Sequence, residues 1–67
     1  MKKHLEFSDV KSNKFWEIEL KGKIIKICYG RIGIENPATQ SKSFASADLA
    51  KKYYEKKLKE KINKGYQ

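Results

Sequence analysis

The sequence predicts an α+β fold, a small antiparallel sheet of three to four strands with one long C-terminal helix packed on one face. Two periodicities support this fold. Apolar and polar residues alternate in the N-terminal part, as in half-buried strands, whereas the C-terminal part repeats at about 100° per residue, as in an amphipathic helix. A third observation is length, because a chain this short buries only about 60% of its unfolded surface. We therefore expect residues 1–67 to form a single domain without room for a deep substrate cavity.

The central element is a predicted β-hairpin. In the segment 15–20, the apolar residues at 16, 18 and 20 alternate with glutamates at 17 and 19, and residues 24–29 form a second β-rich run. A two-residue loop at Gly22 and Lys23 would fix how the two strands pair. The resulting pairs are Leu20 with Ile25, Ile18 with Ile27, Trp16 with Tyr29, and Glu19 with Lys26. The register is self-consistent, since it places apolar residues on one face and an opposite-charge pair on the other.

Two flanking segments are predicted to be further strands. Residues 4–7 alternate weakly, and residues 39–44 are polar and extended, with Phe44 as an apolar anchor. Between the hairpin and the last strand, residues 35–37 are predicted to form a loop, because Pro37 disfavours helical backbone in the residue before it.

The C-terminal helix is predicted from its end signals as well as from its periodicity. Ser46 is a suitable N-cap, Asp48 places a negative charge in the first turn, and Gly65 suits the position after the last turn. Lys61 falls inside the predicted apolar stripe, where it either extends its stem past the sheet edge or points at an anion. The predicted stripe comprises Ala47, Ala50, Tyr54, Leu58 and Ile62.

Composition restricts the functional classes. Sixteen basic side chains against eight acidic ones give a net charge of +8, which favours polyanions such as nucleic acid, although a general lysine bias would produce the same excess. Cys28 is the sole cysteine, so no internal disulfide can form. The start resembles no signal peptide, and no segment approaches the roughly 20 apolar residues of a membrane span. We expect a cytoplasmic protein without a membrane partner.

Catalysis finds no support in the sequence. The only histidine is His4, and no clustered carboxylates accompany it or Cys28. One histidine and one cysteine cannot supply a four-ligand zinc site. We therefore expect no enzymatic activity, no catalytic residues, no metal, no cofactor and no small-molecule substrate.

Arg31 is the single arginine among the sixteen basic residues, and it lies between Gly30 and Gly33 beside Tyr29. Arginine offers a planar fork of donors that lysine lacks, which can grip phosphate or carboxylate with two hydrogen bonds. The alternatives are that its position has no functional meaning or that it pairs with an acid on a neighbouring strand.

The chain resembles a WGR domain over nearly its whole length, from about residue 14 to residue 66. The similarity is greatest to the N-terminal WGR domains of bacterial proteins related to a molybdate metabolism regulator. Members of the family also occur in DNA-dependent poly(ADP-ribose) polymerases, and the family fold is an antiparallel sheet with a helix. The residues that carry the resemblance are Phe15-Trp16-Glu17-Ile18, Tyr29-Gly30-Arg31-Ile32-Gly33, Lys42-Ser43-Phe44, Ala50, Tyr54, Lys61 and Lys64-Gly65-Tyr66.

The resemblance implies roles for individual residues. In those polymerases, the tryptophan and arginine of the motif contact DNA near a strand break. Here the aromatic role would fall on Tyr29 and the phosphate or ribose contact on Arg31. Gly30 would permit close backbone approach. This chain departs from the family pattern, because a tyrosine stands where a tryptophan gives the family its name.

These observations lead to a nucleic-acid-binding module, for DNA ends or breaks and without sequence specificity, as the first hypothesis. Its expected contact residues are Tyr29, Gly30, Arg31, Lys42 and Lys61. The alternative is a docking module in which the same arginine grips an acidic surface of a protein partner or neighbouring domain. The hairpin register places Tyr29 on the Trp16 face, so Tyr29 is partly core unless a bulge near Gly30 turns it.

Overall fold

The computed structural model describes residues 1–67, and it has the predicted α+β architecture. A four-stranded antiparallel sheet has the strand order β1-β2-β3-β4, so each strand pairs with its neighbour in sequence. One helix, α1, follows the sheet. The elements are β1 (Lys2–Ser8), β2 (Asn13–Lys21), β3 (Ile24–Arg31), β4 (Ala38–Ser43) and α1 (Ala47–Asn63).

The β2–β3 hairpin has the predicted register. Trp16 faces Tyr29, Ile18 faces Ile27, and the pairing continues without interruption to the end of both strands. No bulge therefore re-aims the chain near Gly30. In the two-residue loop, Gly22 has a positive φ of +59° and Lys23 has a negative φ. This combination is that of a type II′ turn, whose twist matches that of the flanking strands.

The core lies between the sheet and the helix. Trp16 is only 4% exposed, which confirms its predicted place in the core. The sheet contributes side chains from β1, β2 and β3, and the helix contributes an alanine and a tyrosine. The buried residues are Leu5, Trp16, Ile18, Ile25, Ile27, Ala50 and Tyr54.

The helix ends are confirmed, but its apolar stripe is partly wrong. Ser46 Oγ accepts a hydrogen bond from the backbone N–H of Leu49 at 3.2 Å, and Gly65 has φ +104° after the last turn. The predicted stripe fails at both ends, since Ala47 is exposed and Ile62 is 52% exposed. Residues four apart advance about 40° around a helix, so three such steps carry a stripe about 120° away from its start. Lys61 takes the sheet-facing place instead.

The helix crosses the sheet obliquely. Near its start, the Tyr53 ring lies 5.0 Å from that of Phe44, which follows β4. Beyond its end, the Tyr66 ring lies 5.5 Å from that of Phe7 on β1. Gln67 then exchanges two backbone hydrogen bonds with Glu6, at 2.7 and 2.8 Å. The helix thus runs from the β4 side to the β1 side and packs mainly on β2 and β3.

The opposite face of the sheet carries no helix. His4 stacks on Phe15 there, with ring centroids 5.7 Å apart. Its two ring nitrogens form hydrogen bonds with Glu6 at 3.0 Å and Glu17 at 2.7 Å. These two carboxylates, Glu6 first, raise the pKa of His4 above its usual value. The protonated imidazole of His4 therefore stabilises the pairing of β1 with β2.

Replacing Trp16 with alanine tests the core. The change should lower the free energy of unfolding by about 3–5 kcal/mol, the usual range for a buried aromatic side chain, and so endanger folding in a domain of this size. Urea unfolding followed by circular dichroism measures the effect. An unchanged unfolding midpoint would show that Trp16 does not lie between sheet and helix.

A second prediction concerns pH. Because folding raises the pKa of His4, its contribution to stability is fully present below the unfolded value of about 6.5 and is lost as pH rises through the folded pKa. We expect wild type to lose more stability than His4→Gln between about pH 5.5 and about pH 9, since only wild type has this imidazole. Urea titrations at both pH values measure the difference. Parallel losses would contradict the prediction.

Candidate nucleic-acid interface

An open pocket of 530 Å³ lies on the helix side of the sheet, where β2 begins and β3 ends. Its walls are formed by the loop before β2, the end of β3, the last turn of α1 and the residues that follow α1. Four of its lining residues are basic and none is acidic. The lining residues are Lys11, Ser12, Asn13, Lys14, Phe15, Trp16, Tyr29, Gly30, Arg31, Ile32, Lys61 and Tyr66. We call it the basic pocket.

The loop between β1 and β2 is fixed by its own hydrogen bonds. Asp9 Oδ1 accepts from the backbone N–H groups of Lys11 and Ser12, at 2.8 and 2.7 Å. The backbone carbonyl of Asn13 accepts from the N–H of Ile32 at 3.0 Å, which ties the loop end to the residue after β3. Lys11 and Ser12 are thereby held at the rim of the basic pocket.

Arg31 lies at the end of β3 with an exposed side chain. Its partner across the β2–β3 pair is Lys14, and its guanidinium makes no ion pair. The alternative that it pairs with an acid on a neighbouring strand is therefore wrong. Like charges that face each other across a sheet are unfavourable unless an anion joins them. Arg31 keeps its fork of donors available for such an anion.

Tyr29 faces the same side of the sheet as Trp16, yet it remains 39% exposed. The helix has crossed toward β1 by this point, so this part of β3 is only partly covered. The ring lines the basic pocket beside Arg31. Tyr29 thus lies on the core face and still exposes part of its ring to the basic pocket, without a bulge in the strand.

Gly30 has a structural role that the sequence did not reveal. A Cβ on this residue would lie 3.2 Å from Ile34 Cγ2 and 3.6 Å from Pro37 Cβ. The missing side chain therefore lets the β3–β4 loop fold against the strand. Gly33 has φ +90° in the same loop, a left-handed conformation that glycine adopts without strain.

Lys61 projects from the helix into the basic pocket. Its Nζ lies 5.7 Å from the centroid of the Trp16 ring and 5.2 Å from that of Tyr66, within cation–π range. Burial lowers the pKa of Lys61, and the positive charges of Lys64, Lys57 and Lys14 lower it further. The stem of Lys61 therefore covers aromatic surface while its head lies among other cations, and an anion contact for Lys61 stays a prediction.

Lys42 lies apart from the other four predicted residues. Its Nζ is 5.0 Å from the centroid of the Tyr53 ring and 5.4 Å from that of Phe44. It lines a second pocket, of 310 Å³, beside Ile25 and Ile27. The basic pocket thus gathers Tyr29, Gly30, Arg31 and Lys61 but not Lys42.

Sequence reasoning missed Lys11, Lys14 and Tyr66 as members of the basic pocket. Lys14 could have been found, since it shares its face with Trp16 by simple alternation. Tyr66 could not, because its place depends on how the chain turns after the helix. Lys11 depends equally on the path of the loop.

The chemistry of this arrangement is that of an anion site. Arg31 can bind two phosphate oxygens at once, the lysines add charge, and the Tyr29 ring offers a flat surface for a base or sugar. No cluster of histidine, cysteine and carboxylate side chains could hold a metal ion. None of the chain's helical structure has the length and apolarity of a membrane span.

Comparisons with known proteins agree with the fold. A solved structure of a protein from Bacteroides fragilis superposes with a TM-score of 0.93 at 42% identity, covering 98% of this chain and 18% of that one. The uncharacterized protein YfeS of Escherichia coli K12 is 37% identical over the whole chain, which spans 27% of YfeS. Protein YehF of the same strain is 38% identical over 96% of the chain, which spans 23% of YehF. The chain therefore spans only about a quarter of these curated relatives. The WGR domain family model matches residues 1–67, and the chain belongs to the WGR domain family.

Proposed function

We propose that this chain is a non-catalytic nucleic-acid-binding module that binds DNA through the basic pocket. The observation that carries the proposal is the pocket's lining, which has four cations and no carboxylate. WGR domains are a family of nucleic-acid-binding modules, which supports the same conclusion. The net charge of +8 adds long-range attraction to a polyanion.

The geometry suits the backbone of DNA better than its bases. Arg31 presents a fork that matches a phosphate, and Lys11, Lys14 and Lys61 surround it with positive charge. Contacts of this kind fix a protein on DNA but carry no sequence information. We therefore propose binding without sequence specificity. The exposed Tyr29 ring would stack on a sugar or base, as every base offers a flat face.

DNA ends or breaks are the proposed preferred sites. The resemblance to the polymerase members supports this preference, since the aromatic residue and the arginine of the motif contact DNA near a strand break there. Tyr29 and Arg31 occupy these positions here and lie together at the basic pocket. Tyrosine has less stacking area than tryptophan, so we expect a smaller aromatic contribution.

The first test is a titration of the 67-residue chain with blunt, nicked and single-stranded oligonucleotides at two salt concentrations. Binding to duplex should weaken with a log–log slope of about −0.9 per phosphate contacted, and about three to five contacts are expected for a module this small. Fluorescence anisotropy measures both quantities. No binding at about 50 mM salt and high micromolar protein would contradict the proposal and favour docking to an acidic protein surface.

Arg31→Lys separates geometry from charge. The substitution keeps the net charge of +8 but removes the planar fork, so a loss of affinity reports bidentate contact. We expect clearly weaker DNA binding with nearly unchanged salt slope and melting temperature. Lys52→Gln on the exposed side of the helix is the control for a loss of general charge. Affinity equal to wild type in Arg31→Lys would show that Arg31 makes no specific contact.

A further inference from the structure

One strip of the sheet on the helix side remains uncovered. The helix packs on β2 and β3, and its oblique path leaves β4 open along its length. All six residues of β4 are exposed. Gln40 and Lys42 point to the helix side, because they face Ile27 and Ile25 of the core across the β3–β4 pair. The strip therefore lies beside the helix and parallel to β4.

The helix presents one ridge toward this strip. Tyr53, Lys57 and Lys61 are spaced by four residues, so their side chains lie above one another on one side of the helix. All three are partly buried, unlike the residues on the outward side. Lys42 reaches across the strip to the first of them, and Lys57 Nζ lies 5.5 Å from the centroid of that same Tyr53 ring. The ridge ends at Lys61, inside the basic pocket.

The two pockets are consequently the two ends of one surface. Ile27 lines the pocket at Lys42, and Tyr29 lines the basic pocket; these residues stand two apart on the same face of β3. Neither pocket contains an acidic residue in its lining. We call this surface, from Lys42 along the ridge to Arg31, the ridge channel.

We propose that the ridge channel binds a single strand of nucleic acid that continues from the DNA held in the basic pocket. The inference rests on the proposed function and names its substrate more closely, as DNA with a single-stranded extension at an end or break. Sites for single strands combine a positive groove with aromatic side chains, and the ridge channel has both. Its floor is one to two strand spacings wide, about 5–10 Å, which suits one strand rather than a duplex.

The cation–π contacts of Lys42 are weak enough to be exchanged for a contact with a phosphate. Lys42 has no carboxylate partner and only cation–π contacts, which contribute about 0.5–1 kcal/mol at exposed sites. It can therefore move to a phosphate and leave the Tyr53 ring to a base. Lys57 is less available, since its Nζ lies 3.5 Å from a carboxylate oxygen of Glu60. Lys42 is thus the residue on which the test should depend.

The experiment compares a blunt duplex with the same duplex carrying an overhang of about six thymidines on the 5′ or the 3′ strand. Fluorescence anisotropy at several salt concentrations gives affinity and slope. We expect one of the overhangs to raise wild-type affinity by about tenfold, as stacking of one base would. Lys42→Gln should abolish this gain and reduce the salt slope by about 0.7 on the overhang substrate only, the value for one phosphate of a single strand.

Lys52→Gln is the matched control, because it removes the same charge from the exposed outward side of the helix. It should keep the overhang gain. Lys42 is exposed, and thermal unfolding should show that its replacement leaves the fold intact. Equal affinity for blunt and overhang duplexes, or equal effects of the two substitutions, would overturn the ridge channel while leaving the basic pocket in place. Failure to bind any DNA would overturn both proposals.

Discussion

The contact between the oblique helix and the apolar face of the sheet holds together the seven buried side chains of this domain. A single layer of strands has no other means of removing its apolar face from water, so the helix is essential to the fold. The angle of that contact also determines the open surfaces. Because the helix runs from the β4 side to the β1 side, it leaves Tyr29 partly exposed and all of β4 exposed.

The positive charge of the exposed surface also results from the packing of the helix on the sheet. The end of the sheet places Lys14 opposite Arg31, and the helix adds Lys61 above them. Burial and neighbouring positive charges both oppose the charged form of Lys61. Such a cluster is unfavourable by itself, and a bound phosphate would relieve the repulsion. The core is built entirely from uncharged side chains, so these basic residues contribute little to folding. Their charges would then serve binding instead.

Lysine and aromatic residues are combined throughout the helix side of the domain. Lys42 contacts two aromatic rings, and Lys61 contacts two others, so the long apolar stems cover aromatic surface both inside and beside the core. This arrangement allows a very basic chain to protect its rings from water. It also keeps positive charge and flat rings side by side, which suits the proposed binding of nucleic-acid backbone and bases.

The sequence by itself determined the hairpin register, the helix ends and the special position of Arg31. These features depend on neighbours in the chain: alternation and a two-residue loop fix strand pairing, and caps fix a helix. The membership of the basic pocket was decided only by the tertiary structure. Ile62 faces solvent, whereas Lys61 and Tyr66 line the basic pocket. These positions depend on how the helix crosses the sheet. A helical pattern defines an apolar side, but packing against the strands chooses the rotation and the angle.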